Sequence, residues 1–190
     1  MKAVRYHEYG DASVLRYEDA DRPKPSAGEV LIQVAATSFN PVDGAIRAGY
    51  LQQVFPIRFP HTPGIDVAGT VAAVGPGVSG FSVGDPVIGF LPMTGNGAAA
   101  EFALAPADLL AAAPSSLPLA QAAALPSAAL TAWQALFEHA DLRAGQRLLI
   151  NGAGGSVGGA GDRDRLPAQR RRGRRRRGRS DRGLHRDQFA

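Results

Sequence analysis

The chain has 190 residues, no cysteine and a formal net charge of +4. Its length allows one or two domains with a true core. The missing cysteines exclude disulfides and thiolate chemistry, and no apolar run is long and charge-free enough to predict a membrane-spanning helix. The charge is uneven: residues 159–190 hold 12 Arg against 4 Asp, a net of +8, which leaves residues 1–158 at −4. That distribution describes a basic tail on a mildly acidic body. The opening Met1-Lys2-Ala3-Val4-Arg5-Tyr6 alternates like a strand and carries no apolar leader, so a cytoplasmic location is expected. Of the four histidines, His7, His61, His139 and His185, none has a partner at metal-ligand spacing. His61, between Pro60 and Thr62-Pro63, reads as a solvated loop residue, and no metal site is expected.

In chain order, Lys2–Tyr6, Val14–Glu18 and Glu29–Ala36 read as strands divided by turn signals such as Tyr9-Gly10-Asp11 and Pro25-Ser26-Ala27-Gly28. Pro41–Ala48 is predicted as a short helix, with Asn40 as its N-cap and Pro41 at the first helical position. Ile65–Val74 is a β-branched run closed by Gly75-Pro76-Gly77, and Val83–Phe90 and Ala98–Ala105 follow as further strands. Many short strands with frequent turns predict a small β-barrel edged by helices. Near Ala107 the texture changes. Leu119–Ala140 is rich in Ala and Leu, with Trp133 and Phe137 on one helical face, and Pro126 divides it into two helices. Gln146–Ile150 is predicted as a buried strand.

Asn151-Gly152-Ala153-Gly154-Gly155-Ser156-Val157-Gly158 follows at once. A strand feeding a glycine-rich turn is the opening of a βαβ unit, in which glycines allow the turn and let backbone approach a pyrophosphate at a helix N-terminus. A helix of ten or more residues should come next. Gly159–Pro167 shows no apolar period, so that helix is not expected, and the phosphate site is predicted to be incomplete and the chain inactive as written.

Five motifs in order carry a family resemblance. They are Asn40-Pro-Val-Asp43 with Ile46-Arg47-Ala48-Gly49; Pro63-Gly-Ile-Asp-Val-Ala-Gly-Thr-Val71 with Val74-Gly75; Gly84-Asp-Pro-Val87; Leu130-Thr-Ala-Trp133; and Asn151–Gly158. Over residues 1–158 the chain resembles the medium-chain dehydrogenase/reductase superfamily, within it the zinc-independent quinone oxidoreductase (zeta-crystallin-like) branch, cut short inside the cofactor domain. The resemblance implies mixed α+β and α/β architecture: a GroES-like β-barrel catalytic domain at 1–110, then an incomplete Rossmann domain starting at 111–158. It implies hydride transfer from NADPH to a small quinone or enone without a metal, the zinc ligands of relatives being absent near Asn40–Asp43 and Pro63–Asp66. A homodimer is implied for an intact chain only.

By the same resemblance Asn40 and Asp43 are catalytic-site candidates, Tyr50 a substrate contact, and Thr131 with Asn151, Gly152, Ala153, Gly154, Gly155, Ser156, Val157 and Gly158 the cofactor contacts. Simpler roles stand beside these: Asn40 as N-cap, Asp43 as a first-turn acid favourable to the helix dipole, Tyr50 as an exposed loop aromatic, Thr131 as a helix-surface hydroxyl. Ala45 stands near where the family often has a tyrosine.

The Arg-rich segment 159–190 cannot bury enough apolar surface to fold and is predicted to be disordered. Two origins compete. Charge alone would attract nucleic-acid phosphate in a salt-dependent way, without the aromatic interleaving that stacks bases. Alternatively the segment is an out-of-frame translation: Arg-Arg written CGC-CGC becomes Ala-Ala one base later. The second origin is preferred, so no nucleic-acid partner is assigned. A stand-alone GroES-like module acting in non-catalytic interactions is a third reading of the chain.

Overall fold

The computed structural model describes residues 1–163. The sheet elements are β1 (Lys2–Arg5), β2 (Arg16–Asp19), β3 (Glu29–Ala36), β4 (Asp66–Val74), β5 (Pro86–Phe90), β6 (Phe102–Pro106) and β7 (Leu110–Ala112). The helices are α1 (Pro41–Arg47), α2 (Leu119–Ala122), α3 (Pro126–Trp133) and α4 (Ser156–Arg163), with a wider π-helical stretch, Gln134–His139, continuing α3. β1 and β2 form an antiparallel pair, and the other five make an antiparallel sheet in the order β6-β3-β4-β5-β7. Single bridges, Ala3 to Ala100 and Tyr6 to His61, tie β1 to loops of the larger sheet. Register shifts within the β3–β4 pairing, at Leu31/Ile32 and Val34/Ala36, bend that sheet as bulges do.

β4 is central and is covered on both faces, which explains its nearly continuous apolar sequence. One face puts Val67 and Val71 against Val30, Ile32, Val87, Leu91, Ala103 and Ala105, the main core. The other puts Ala68 against Ala122 and Ala123 of α2 and its C-terminal end, with Ile88 and Leu125 alongside. Small side chains at this second contact let the helix backbone lie close to the sheet. Each fully buried Ile or Leu of the main core is worth about 1.5–3 kcal/mol of transfer free energy.

Several sequence expectations shift here. Val14 ends a 3-10 turn (Ala12–Val14), capped by the Asp11 side chain accepting from Ser13 N–H at 2.8 Å, and the strand begins at Arg16. The Pro41 helix and the break at Pro126 stand where the sequence puts them. Gln146–Ile150 does not form a buried strand: its backbone is irregular and Leu149 is 93% exposed. An apolar run becomes a parallel-sheet strand only when strands flank it on the sheet. The helix that the sequence reading omitted is present as α4, which packs on α3. Its glycines and alanine carry no apolar period, but the helix is short and its start follows from the Gly152–Gly155 turn, where Gly155 N–H donates to the Gly152 carbonyl at 2.9 Å. Residues 159–163 therefore belong to α4, and the remainder of the predicted tail lies outside the described residues.

His61 is also corrected. It is 5% exposed, exchanges backbone hydrogen bonds with Tyr6 at 3.0 and 2.9 Å, and stacks edge-on to the Tyr6 ring at 5.3 Å. Burial pushes its imidazole pKa down to about 4. It is a neutral core residue, because the strand bridge pulls the loop against β1.

Candidate functional site

A cleft of about 560 Å³ opens between the start of α1, the α3 helix and the turn leading into α4. Phe39, Asn40 and Pro41 form one side, Ala132 and Leu136 another, and Ile150, Asn151, Gly152 and Gly155 to Gly158 the third. It gathers Asn40 with six of the eight predicted glycine-turn residues: Asn151, Gly152, Gly155, Ser156, Val157 and Gly158. Ala153 and Gly154 stand outside its lining, as do Asp43, Tyr50 and Thr131. Tyr50 is 84% exposed beyond the end of α1, and Thr131 is exposed on α3.

The turn has the shape of an anion cradle. Gly152 adopts a φ of +77°, in the left-handed region that favours glycine. A Cβ on Gly158 would lie 2.3 Å from the Gly152 carbonyl oxygen and 2.9 Å from the Ala153 Cα. Both neighbours are backbone and cannot swing away, so only glycine lets α4 start this close to the turn. Helix starts leave their first N–H groups without intrahelical acceptors, and at α4 those groups belong to Ser156, Val157 and Gly158, all on the cleft. N–H donors and the positive dipole end suit a phosphate oxygen. The site thus fits the phosphate part of a dinucleotide.

Asn40 is held from three directions. Its backbone N–H donates to Asp43 Oδ2 at 2.8 Å, half of a capping box that starts α1. Its side-chain Nδ2 donates to Asp66 Oδ2 at 2.9 Å and to Ser38 Oγ at 3.2 Å. Asp43 stands in the first turn of α1, as the sequence leads one to expect. It is buried, its Oδ1 accepts from Gly64 N–H at 3.1 Å, and it faces inward near Tyr6, Ile46 and His61. Burial raises its carboxyl pKa above the ordinary range, against backbone N–H bonds from Asn40, Gly64 and Ile65 that lower it. Outside the lining of the cleft, Asp43 fixes the Gly64 loop and the α1 start.

Asp66 is the residue the sequence reading did not single out. It is 1% exposed at the head of β4. Its Oδ1 accepts from Ser127 N–H, in the first turn of α3, at 2.8 Å, while Oδ2 accepts from Asn40 and from the Ser38 hydroxyl. Its own carbonyl accepts from Thr37 Oγ1 at 2.7 Å. One carboxylate therefore joins the loop before α1, the central strand and the N-terminus of α3. The signal was an acid inside an otherwise apolar run, Ile65-Asp66-Val67-Ala68, since an isolated buried charge survives only when donors surround it. Among the described residues, no group of three or more His, Cys, Asp or Glu side chains could hold a metal ion.

The fold is that of a GroES-like domain with mixed α/β structure. Residues 26–115 match the alcohol dehydrogenase GroES-like domain family, and the chain is similar to quinone oxidoreductases and to solved structures of the alcohol dehydrogenase superfamily. It is 40% identical over 164 residues to the chloroplastic quinone-oxidoreductase homolog of Spinacia oleracea, covering 83% of this chain and 50% of that one. With the quinone oxidoreductase of Mus musculus it shares 43% identity over 159 residues, covering 83% and 47%. Among solved structures it is similar to an alcohol dehydrogenase superfamily protein from Novosphingobium aromaticivorans (TM-score 0.78, 40% identity, 85% of this chain and 48% of that one). Mycobacterial Rv1454c complexed with NADPH is also similar (TM-score 0.74, 36% identity, 85% and 48%). The chain spans about half the length of the curated relatives it matches.

Proposed function

We propose that the cleft between α1, α3 and the Asn151–Gly158 turn is the nicotinamide-dinucleotide site of a quinone- or enone-reductase type of oxidoreductase, with NADPH as the cofactor and no metal. The observation that carries this reading is the convergence of Asn40 and the Gly152–Gly158 turn on one cleft, combined with the likeness to quinone oxidoreductases and to an NADPH-complexed neighbour. The N–H groups of Ser156, Val157 and Gly158 would hold phosphate oxygens. Ala132, Leu136 and Ile150 give the cleft an apolar wall, which excludes water and strengthens polar contacts made inside it. Bound there, the reduced nicotinamide supplies the hydride, and the protein's part is binding and orientation. A quinone or enone would enter beside Phe39 and Asn40.

Titration with NADPH, followed by nicotinamide fluorescence, tests the reading. Saturable binding tighter than about 1 mM is expected. No saturable signal up to that concentration would overturn it.

A further inference from the structure

Five aromatic side chains stand exposed among the described residues: Tyr17, Phe39, Tyr50, Phe59 and Trp133. Three of them have company. The Lys2 ammonium lies over the Tyr17 ring at 5.9 Å, Phe59 packs edge-on to Tyr6 and Tyr9, and Trp133 packs on Phe137 at 4.5 Å. Phe39 and Tyr50 have no ring or cation against them among the described residues, and of these two only Phe39 lines the cleft. Phe39 is 76% exposed, so an aromatic face is open to a ligand, and the next residue, Asn40, shares that side of the cleft. The place of the ring is built into α1. Gly44 sits inside that helix, where glycine is a poor helix former and no turn calls for it. A methyl group on Gly44 would come within 3.3 Å of Phe39 Cζ, tighter than ordinary contact. The glycine leaves the end of the Phe39 ring its room.

We infer that Phe39 is a specificity-determining residue of the cleft, a stacking platform for a planar, electron-poor ring such as that of a quinone. An aromatic face carries the negative side of the ring quadrupole. The carbonyl groups of a quinone draw electrons out of its ring, so its face attracts the face of Phe39, whereas two phenyl rings repel when laid squarely on one another. An acyclic enone has no ring to set there. The cleft therefore favours the quinone within the substrate class proposed above, and this inference rests on that reading for the cleft being the substrate site. Phe39 acts through binding and orientation alone, having no proton to give or take.

Menadione, a small planar quinone, is the probe, and the chain has no cysteine to add to it. Proton NMR of its methyl group, followed as the full chain is added, reads stacking directly, because a proton held over an aromatic face moves upfield. Saturable binding with an upfield methyl shift is expected. Phe39→Leu keeps an apolar side chain at an exposed position, where the fold tolerates substitution. It should lose the upfield shift and bind menadione about two- to tenfold more weakly. Phe39→Tyr keeps the ring and should retain both the shift and the affinity. No saturable binding to the wild type, a shift and affinity unchanged in Phe39→Leu, or an equal loss in Phe39→Tyr would overturn the inference. Titration of the same wild-type chain with NADPH, by nicotinamide fluorescence, separates it from the functional reading. Phe39-dependent menadione binding without NADPH binding supports the stacking role and sinks the cofactor site. NADPH binding without a Phe39-dependent menadione signal sinks the stacking role and leaves the cofactor site standing.

Discussion

Acidification offers a sharp test of the corrected place of His61. Its folded pKa is near 4 because burial against Tyr6 disfavours the cation, whereas the ordinary value is 6.5. Because the folded pKa is the lower, the unfolded chain binds the extra proton first, so stability is full above the ordinary value and falls as pH drops toward the folded one. Between about pH 7 and about pH 5 one proton taken up almost wholly by the unfolded state amounts to at most about 2 kcal/mol, and partial solvent access lowers this to about 1–2 kcal/mol. Asp43 works in the opposite sense. Its raised pKa means the folded state binds protons more readily, so it stabilises the fold as pH falls through that raised value toward the ordinary 3.8. The two can mask one another in the wild type, so the quantity to measure is a difference. Urea unfolding of the wild type and of His61→Phe, which keeps the ring against Tyr6 and cannot titrate, should give curves that diverge on acidification. His61→Phe should lose about 1–2 kcal/mol less than the wild type over that interval. Parallel curves would refute the reasoning and return His61 to solvent.

Four further outcomes are expected. Asp43→Ala leaves the N–H groups of Asn40 and Gly64 facing an apolar gap and should cost about 1–3 kcal/mol at neutral pH, measured by urea unfolding. Ile32→Ala empties part of the main core at a fully buried site and should cost about 2–5 kcal/mol in the same assay. Leu149→Ser should change stability by less than about 0.5 kcal/mol, since the side chain stands 93% in water; a loss above about 1 kcal/mol would restore the buried strand. Gly158→Ala places a methyl group against the Gly152 carbonyl, so NADPH binding should weaken by about tenfold or more while thermal unfolding of the sheet stays within about 0.5 kcal/mol of wild type.

The parts of this molecule legible in its sequence are those set by local rules. Pro41 after Asn40 marks the α1 start, Pro126 breaks the alanine-rich run, and the β-branched run Ile65–Val74 holds the strand Asp66–Val74. The glycine spacing at 152, 155 and 158 pointed to a tight turn, and the structure puts those three residues on one cleft with Asn40. What escaped the sequence depends on contacts far along the chain. His61 looked solvated because nothing local reveals its bridge to Tyr6. Asp66 looked like one letter of a motif because its donors come from positions 38, 40 and 127. Gln146–Ile150 has the apolar character of a buried strand, but local character does not reveal what covers it, and α4 has no apolar period because a turn sets its start.

The central claim is the location of the cofactor, and backbone amide shifts on adding NADPH test it most directly. Saturable movement of the Ser156, Val157 and Gly158 amides together with Asn40 is expected, with little change on the β1–β2 pair. Shifts confined to surfaces away from that cleft, or none up to about 1 mM NADPH, would contradict it.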